Sequence, residues 1–366
     1  MKIKAAVCHE LDGKISIEDL DLAPPKANEV LIEVVAAGIC HTDASGRNGT
    51  LPSPFPIVYG HEGSGIVKEV GPGVLSLKPG DHVVASYPYC GSCYHCCYGM
   101  PGECDHAMEG NFGGYMLDGT SRLSKDGQPI HMFFCQSSFA TYAVVNEKSA
   151  VKVDPEVDLA MLGPLGCGLI TGSATVMGCV KPRAGSTIAI FGCGGVGCSA
   201  IMGAKIVGCS TIIAVDINEE RLKIAQELGA THVINGKNGD LTEAIKAITK
   251  GVGVDYGIEA TGNTKVAGQG LQAVAPGGEM ILIAAGYEKM ELDINIEIFI
   301  RYRTLRGVIE GATHPKYFLP KLVEMYKAGK FPIDKLIKFY DFEDINQAFD
   351  DSASGKTIKP VLRIKK

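Results

Sequence analysis

The sequence predicts an α/β protein in which a β-rich domain is joined to a domain built on a doubly wound parallel sheet. The chain has 366 residues, a length that favours two hydrophobic cores over one. Residues 1–168 read as short strands between glycine and proline turns, whereas strands alternate with helical stretches from about residue 184 onward. We therefore expect a first domain over 1–168 that is completed by 310–366, and a second domain over 169–309.

The strands of the first domain are predicted from residues that alternate between apolar and polar types. The runs with this pattern are KIKAAVCHE, EVLIEVVAAGIC, EGSGIVKEVG and DHVVASYPYC. A period of two places alternate side chains on one face of a sheet, and the flanking glycines and prolines favour turns.

The second domain is predicted from apolar strands that alternate with helical segments. TIAIFG, TIIAVD, HVI, VDYGIEATG and GGEMILIAAG read as strands, and VGCSAIMGAKIVG, EERLKIAQELG and LTEAIKAITK read as helices. Such βαβ units build a parallel sheet with helices on both faces. After residue 310, two helical segments and the strand IKPVLRIKK form a tail that we expect to pack on the first domain.

The composition favours a small molecule as the partner. Hydrophobic residues make up 46% of the chain, charged residues make up 21%, and the formal net charge is −6. Without basic clusters, such a chain is not expected to bind nucleic acid or an anionic membrane. The uncharged stretch Ala184–Ala204 is as long as a membrane span, but its glycines divide it into a strand, a turn and a helix start. The start MKIKAAVCHELDG has no secretory pattern, and we expect a cytoplasmic protein.

A glycine-rich turn predicts a dinucleotide site. It follows the apolar run TIAIF and precedes a helical pattern, which is the context that Gly-x-Gly-x-x-Gly requires. Its residues are Gly192, Gly194, Gly195, Val196 and Gly197. The glycines allow a tight turn and close approach of the backbone to a pyrophosphate, which the helix N-terminus attracts. The alternative is an ordinary glycine turn.

Asp216 predicts the choice of cofactor. It ends the strand TIIAV, where a carboxylate can bind both adenosine ribose hydroxyls and would repel a 2′-phosphate, so NAD is favoured over NADP. The alternative is a surface aspartate. Asn218 and Arg221 could flank the adenosine, but they could equally be a helix-start residue and a solvated charge.

A cysteine cluster predicts a closed metal site. Its members are Cys90, Cys93, Cys96 and Cys104. Four thiolates within one loop can surround zinc as a tetrahedron and leave no position for substrate. A redox Cys-x-x-Cys or an iron–sulfur cluster is the rival interpretation, but no βαβ unit precedes the loop.

Three further residues predict an open metal site. Cys40 lies in GICHTD, His61 in YGHEG and Cys167 in GPLGCG. Two thiolates and one imidazole can hold a catalytic zinc whose fourth position stays open. Spacing does not join these residues, and each alone could be a core residue, as a lone buried histidine often is. Their joint presence favours zinc.

The chain resembles the zinc-containing medium-chain alcohol dehydrogenases over essentially its whole length. The motifs that carry the resemblance, in family order, are GICHTD, GHEGSGIVKEVG, CGSCYHCCYGMPGEC, LGCGLITG, FGCGGVG, VDINEERL and EATG. The resemblance implies a GroES-like catalytic domain, a Rossmann domain, NAD as cofactor, and two zinc ions per subunit, one catalytic and one structural. It also implies an enzyme that oxidises a primary alcohol to an aldehyde.

The resemblance assigns roles to individual residues. Cys40, His61 and Cys167 match the catalytic zinc ligands, the four clustered cysteines match the structural ones, and Asp43 and Glu62 match acidic residues behind the ligands. Thr42 matches the hydroxyl that receives the alcohol proton. Cofactor contacts are implied for the following residues: His41, Thr171, Ala284, Gly286 and Lys359.

Three positions depart from the family pattern. His41 stands where arginine is frequent, so we expect weaker and pH-dependent NAD binding. Lys359 also stands where some relatives have arginine. Ser45 replaces a surface histidine of several relatives, which leaves the last proton transfer to water.

The segments HMFFCQSSFATYAVV and DGTSRLSKDGQPI resemble the aryl-alcohol branch, which implies aromatic and allylic primary alcohols as substrates. A short-chain aliphatic alcohol or glutathione-conjugated formaldehyde is the alternative. Ser86, Tyr87 and Phe112 are candidate pocket residues that could equally be loop packing. The family resemblance also implies a dimer or tetramer, to which IEIFIRY at 296–302 could contribute. A non-zinc quinone reductase would share the fold, but it would lack the three catalytic ligands.

Overall fold

The computed structural model of the protein describes residues 1–286 and 288–365. The chain forms two compact units, each with its own sheet system. The first unit consists of Met1–Cys167, Thr313–Gly329 and the chain from Ile333 onward. The second unit consists of Gly168–Ala312 and Lys330–Pro332. A β-rich unit combined with a parallel α/β sheet confirms the fold class that the sequence predicts.

The first unit is built mainly from strands. Its strands are β1 Lys2–Cys8, β2 Ser16–Leu22, β3 Glu29–Gly38, β4 Ile57–Val58, β5 Glu62–Val70, β6 His82–Ala85, β7 Leu123–Lys125, β8 Gln128–Met132, β9 Tyr142–Asn146, β10 Ala150–Lys152, β17 Ile337–Asp341 and β18 Lys359–Arg363. A closed barrel has the order β1-β2-β7-β8-β4, and a second sheet has the order β10-β6-β5-β3-β18-β17, with β9 also paired to β3. Apolar side chains from both sheets form one core.

Helices of the first unit are short, apart from two near the end of the chain. They are α1 His41–Arg47, α2 Tyr94–Cys97, α3 Ala107–Phe112, α4 Leu159–Leu162, α10 Pro315–Lys327 and α11 Ile345–Ala353. Single 3₁₀ turns cover Pro101–Glu103, Gly163–Gly166, Ile333–Lys335 and Phe342–Asp344.

The second unit has a six-stranded parallel sheet in the order β13-β12-β11-β14-β15-β16. Its strands are β11 Thr187–Phe191, β12 Thr211–Asp216, β13 His232–Asn235, β14 Val254–Glu259, β15 Val274–Leu282 and β16 Thr304–Gly307. Its helices are α5 Gly168–Ala174, α6 Gly195–Ile206, α7 Glu219–Leu228, α8 Leu241–Ile248 and α9 Thr264–Ala273, with π-type turns at Thr175–Val180 and Asn295–Phe299 and a 3₁₀ turn at Glu310–Ala312. The strand order reverses between β11 and β14, which is where doubly wound sheets bind ligands.

The uncharged stretch Ala184–Ala204 contains β11 and the first residues of α6, in line with its glycines. Within residues 1–286 and 288–365, no single helix is both long and apolar enough to cross a membrane. One bent pair, Leu159–Gly166 with Gly168–Val180, passes that test by length and composition alone.

Candidate active site

Cys40, His61, Glu62 and Cys167 converge on one point in the first unit. One potential ligand atom from each lies within 4.8 Å of the others. All four side chains are buried. We call Cys40, His61 and Cys167 the strand-edge cluster, because they meet at the end of the second sheet where β3 ends and β5 begins.

Strand register explains how distant residues meet in the strand-edge cluster. β3 and β5 are antiparallel, and Gly38 at the end of β3 pairs with Glu62 at the start of β5. Cys40 follows that end and His61 precedes that start, so both leave the sheet at the same edge. Cys167 follows a 3₁₀ turn in which Gly166 packs tightly on β6, since a Cβ on Gly166 would lie 2.1 Å from the Ala85 carbonyl oxygen.

The imidazole of His61 is held in one orientation. Its Nδ1 lies 2.9 Å from Oδ1 of Asp43, whose carboxylate also accepts the backbone N–H groups of Cys40 and Gly60 at 2.9 and 3.0 Å. The opposite ring nitrogen, Nε2, is buried without a hydrogen-bond partner. An unsatisfied buried polar atom costs about 1–3 kcal/mol. A metal ligand bond would relieve that cost, and the second-sphere role predicted for Asp43 matches this geometry.

Two ionisable groups of the strand-edge cluster have pKa values far from their ordinary ones. A hydrogen bond from Cys167, with help from the positive charge of Lys359, holds the pKa of Cys40 well below its ordinary value despite burial. Burial opposes the charged form of His61, but the Asp43 carboxylate raises the pKa of this imidazole well above its ordinary range. Two thiolates and an imidazole nitrogen with no other partner are the donor set of a catalytic zinc, and these residues fit that ion.

Glu62 and Lys359 form a buried ion pair behind the strand-edge cluster. Nζ of Lys359 lies 2.8 Å from both carboxylate oxygens of Glu62 and also donates to the Ile39 carbonyl at 3.3 Å. Burial raises the pKa of Glu62 to about 7, although the lysine opposes this shift. Burial would lower the pKa of Lys359, but the Glu62 carboxylate raises it above its ordinary value. The sequence predicts a cofactor contact for Lys359, and the structure places its ammonium group on Glu62.

The four cysteines of the 90–104 segment form a second cluster, which we call the loop cluster. Their sulfur atoms lie within 4.8 Å of one another. The Cys90–Cys96 and Cys93–Cys104 sulfur distances are 3.9 and 4.0 Å, close to the edge of about 3.8 Å in a tetrahedron with zinc–sulfur bonds of about 2.3 Å. Burial opposes ionisation, but N–H groups of Ser92 and Cys93 lower the pKa of Cys90 to about 6. The loop cluster fits a structural zinc.

The glycine turn of the second unit has the shape that a dinucleotide requires. Gly192 has a φ of +92°, and Gly194 caps α6 with extended backbone. A Cβ on Gly197 would lie 1.7 Å from the Gly192 carbonyl oxygen, so only glycine lets α6 begin so close to β11. Around Gly194 there is open space. The first N–H groups of α6 are therefore accessible to a phosphate.

Comparison with known proteins identifies the family. Residues 26–155 match the alcohol dehydrogenase GroES-like domain, and residues 195–327 match the zinc-binding dehydrogenase domain. The chain is 41% identical to geraniol dehydrogenase of Castellaniella defragrans over 98% of this chain and 97% of that protein. The chain belongs to the zinc-containing medium-chain alcohol dehydrogenase family. The zinc-dependent alcohol dehydrogenase activity that the sequence predicts is thereby confirmed.

Solved structures agree with this assignment of the alcohol dehydrogenase. An alcohol dehydrogenase zinc-binding domain protein from Burkholderia ambifaria is 46% identical with a TM-score of 0.97. Benzyl alcohol dehydrogenase from Acinetobacter calcoaceticus is 43% identical with a TM-score of 0.96. Both matches cover 100% of each chain.

Aromatic side chains pack against His61 of the dehydrogenase. The Phe134 ring stacks on the imidazole, with 4.4 Å between ring centroids and 24° between planes. Phe133 meets His61 edge-on at 5.6 Å, and Phe112 meets both phenylalanines edge-on. Phe112 is half-buried beside these rings, and its role as a pocket residue stays a prediction. Phe133 and Phe134 were not singled out, although both belong to the HMFFC segment that resembles the aryl-alcohol branch.

The other two predicted pocket residues have partners within the first unit. Ser86 is buried and its hydroxyl donates to the Gly166 carbonyl at 2.7 Å. The Tyr87 hydroxyl donates to the carbonyl of Thr313. Ser86 thus fixes the turn that precedes Cys167, and loop packing explains Tyr87.

The residues next to Cys40 differ in exposure. His41 is exposed, Thr42 is half-buried with its hydroxyl 3.6 Å from Sγ of Cys40, and Ser45 is buried. Thr42 therefore places a hydroxyl group at the margin of the strand-edge cluster. A buried Ser45 cannot take the place of a surface histidine.

Asp216 lies at the carboxyl end of β12, next to the glycine turn. Its carboxylate accepts the backbone N–H groups of Cys193 at 2.6 Å and Asn218 at 2.9 Å. Asn218 is the N-cap of α7, since its side chain accepts the N–H groups of Glu220 and Arg221. Arg221 is half-buried, and its Nε has no hydrogen-bond partner. Asn218 is thus a helix-start residue, whereas Arg221 is not a fully solvated charge.

The predicted nicotinamide contacts also lie in the second unit. Thr171 is buried on α5, and its hydroxyl lies 3.3 Å from a carboxylate oxygen of Glu310. Ala284 is half-buried and Gly286 is exposed in the segment that follows β15. Glu310 is not among the residues for which the sequence predicts a role.

Proposed function

We propose that this alcohol dehydrogenase oxidises primary aromatic and allylic alcohols to aldehydes and transfers the hydride to NAD. The proposal rests on the aromatic cluster beside His61, in which the buried Phe134 ring stacks on the imidazole and Phe112 and Phe133 pack against Phe134. A flat substrate gains about 0.5–1.5 kcal/mol from each favourable aromatic pair beyond the buried area. Geraniol is a primary allylic alcohol and benzyl alcohol a primary aromatic one, so the names of two relatives support the same class.

The chemistry requires activation of the alcohol hydroxyl. Zinc supplies Lewis acidity when it is bound, and lowers the pKa of a hydroxyl group that it contacts. Cys40, His61 and Cys167 would hold the ion, and the bond between Asp43 and Nδ1 of His61 leaves Nε2 to face it. The Thr42 hydroxyl would accept the alcohol proton and pass it towards the cofactor ribose. Because Ser45 is buried, we assign the last transfer to a water molecule.

The preference for NAD is proposed from Asp216. Asp216 ends β12, the second strand of the parallel-sheet unit, where a carboxylate can bind the adenosine ribose and repels a 2′-phosphate. We expect Asp216→Ala to shift the ratio of kcat/KM values for NAD and NADP at least about tenfold towards NADP, which corresponds to about 1.4 kcal/mol. Asp255→Ala is the matched control, because Asp255 also accepts a backbone N–H group but lies at the amino end of β14. An unchanged ratio in Asp216→Ala would remove this residue from the cofactor site.

The substrate class is tested by kcat/KM for benzyl alcohol, cinnamyl alcohol, ethanol and glutathione with formaldehyde. We expect the two unsaturated alcohols to exceed ethanol at least tenfold. Phe134→Ala should lower the value for benzyl alcohol by about tenfold to a hundredfold, since burying an aromatic side chain is worth about 1.5–3 kcal/mol. Ethanol serves as the internal control and should change less. Equal losses for both alcohols, or a wild-type preference for ethanol, would refute the aromatic assignment.

A homo-oligomer is the second part of the proposal. Exposed apolar side chains concentrate around the segment before the edge strand β16, and these are Ile294, Ile296, Phe299, Ile300 and Tyr302. Contiguous exposed apolar surface of this kind marks an interaction site. We expect sedimentation to give a dimer or tetramer that Phe299→Glu dissociates. Leu75→Glu is the control, because Leu75 is 93% exposed but belongs to the first unit. A wild-type monomer would contradict the proposal.

A cytoplasmic location completes the proposal. None of the thirteen cysteines, all of which lie within residues 1–286, forms a disulfide, and a reducing compartment keeps thiolates available to zinc. Cell fractionation followed by immunoblotting tests it, and recovery of the enzyme outside the cytoplasmic fraction would contradict it.

A further inference from the structure

The segment Phe133–Ser138 contains a series of backbone conformations that ordinary residues avoid. Phe134, Cys135 and Ser137 have φ angles of +54°, +47° and +54°. A left-handed conformation costs a residue with a side chain about 1–2 kcal/mol, so neighbouring contacts must hold this segment in place. The segment is also the one that carries Phe134 onto His61.

Hydrogen bonds from several directions hold the segment. The Ser137 hydroxyl donates to the Val58 carbonyl at 2.8 Å and accepts the N–H group of Phe133 at 3.0 Å. The Phe134 N–H group donates to the Asn111 carbonyl at 3.0 Å. The Cys135 thiol lies 3.3 Å from the Gly110 carbonyl. None of these bonds reaches a residue of the strand-edge cluster.

Gln136 makes the hydrogen bond that reaches the strand-edge cluster. Its side chain is 1% exposed, its Oε1 accepts the N–H group of Gly63 at 2.9 Å, and its Nε2 donates to the His61 carbonyl at 3.2 Å. The Gln136 amide therefore forms hydrogen bonds with the backbone on both sides of Glu62. A neighbouring parallel strand would form hydrogen bonds with the same two groups, the carbonyl of His61 and the N–H group of Gly63, which flank Glu62. The Gln136 side chain thus substitutes for a strand at this edge of β5.

We propose that Gln136 is a positioning residue that couples the backbone of His61, a ligand of the catalytic zinc, to the Phe134 ring that stacks on its imidazole. One side of the coupling is the backbone of His61, which Gln136 fixes from outside the metal's own coordination sphere. The other is Phe134, two residues away in the same strained segment. Loss of the amide leaves the Gly63 N–H and the His61 carbonyl buried without partners and frees the imidazole and the Phe134 ring to move independently. The effect on turnover rests on the proposed function, whereas the effect on the metal site does not.

The test compares Gln136→Met, which keeps the length of the side chain and removes both hydrogen bonds, with Gln347→Met. Gln347 is an exposed glutamine of α11 whose amide bonds Asp351. Release of zinc to a chromogenic chelator is followed in each variant, and the loop cluster serves as an internal reference. We expect Gln136→Met to release the catalytic zinc at least about tenfold faster, in the range found for residues that orient metal ligands, with an unchanged rate at the loop cluster. The visible absorption bands of the cobalt-substituted enzyme should shift in the same variant only.

Several outcomes would overturn the inference. A wild-type release rate and an unchanged cobalt spectrum, together with a lower melting temperature, would show that Gln136 only packs the fold. If Gln136→Met does not fold, Gln136→Glu replaces it, since it keeps the acceptor for Gly63 but loses the donor to His61. An intermediate release rate is expected there, and a wild-type rate would exclude the bond to the His61 carbonyl. Zinc release that responds as expected in an enzyme inactive on every alcohol would refute the proposed function and leave the role of Gln136 intact.

Discussion

The loop cluster and the strand-edge cluster use similar ligands but are built in opposite ways. The loop cluster takes four sulfur atoms from fifteen consecutive residues, and backbone N–H groups of its own loop lower the pKa of Cys90. The strand-edge cluster joins residues as far apart as Cys40 and Cys167, is buried, and depends on Asp43 and on the register of β3 with β5. The locally built loop cluster fits a closed structural zinc, whereas the strand-edge cluster, with the unpartnered Nε2 of His61, would leave one position of a zinc ion to a substrate.

The largest effect that would separate the two clusters is expected from Cys40→Ser. Removal of one catalytic thiolate should lower kcat/KM for the alcohol at least about a thousandfold, which corresponds to about 4 kcal/mol of lost barrier reduction. One zinc per chain should remain in the loop cluster, and NADH binding measured by fluorescence should not change. Normal turnover in this variant would refute the role of the strand-edge cluster.

The complementary variant is Cys104→Ser in the loop cluster. Loss of the structural zinc removes binding free energy that stabilises the fold, and we expect the melting temperature to fall by about 10 °C if about 3–5 kcal/mol is lost. At a temperature where the variant stays folded, kcat/KM should remain within about threefold of wild type because the strand-edge cluster is intact. Calorimetry and steady-state kinetics check both parts. A loss of activity without a loss of stability would reverse the roles of the two clusters.

A smaller effect is expected from Asp43→Asn. The Asp43 carboxylate fixes the His61 ring, and substitution of such a partner reduces metal affinity or activity about tenfold to a hundredfold. Competition with a zinc chelator measures this change. The matched control is Asp105→Asn, because Asp105 lies 2.7 Å from Nδ1 of the half-buried His95 beside the loop cluster. Equal effects of both variants on catalytic zinc would contradict the role of Asp43.

The smallest effect is expected from Cys97→Ser. Cys97 is exposed and follows Cys96 directly, but it is absent from the loop cluster and its thiol lies 3.5 Å from the Ser92 carbonyl. Zinc content should stay at two per chain, and stability should change by less than about 0.5 kcal/mol. Loss of one zinc in this variant would mean that Cys97 replaces one of the four cysteines as a ligand.

The same comparison shows what the sequence could predict. The loop cluster is visible in the spacing of its cysteines, and the glycine turn is visible because local context and spacing suffice there. The strand-edge cluster was predicted through the joint presence of its motifs and the family resemblance, since no local signal joins Cys40 to Cys167. The Glu62–Lys359 pair and Gln136 had no signal, because each depends on contacts between distant segments. The left-handed conformations of Phe134, Cys135 and Ser137 are equally invisible in the sequence, because none of these residues is a glycine.

We expect the zinc of the strand-edge cluster to be required for turnover and the zinc of the loop cluster to be required for the stability of the fold. The most direct test is a stepwise chelation of the wild-type enzyme, with zinc per chain from mass spectrometry, activity and circular dichroism measured on each sample. We predict that activity falls in proportion to the first zinc removed and reaches zero at one zinc per chain, while the circular dichroism spectrum stays native. Full activity at one zinc per chain, or unfolding that accompanies the first loss, would contradict the account.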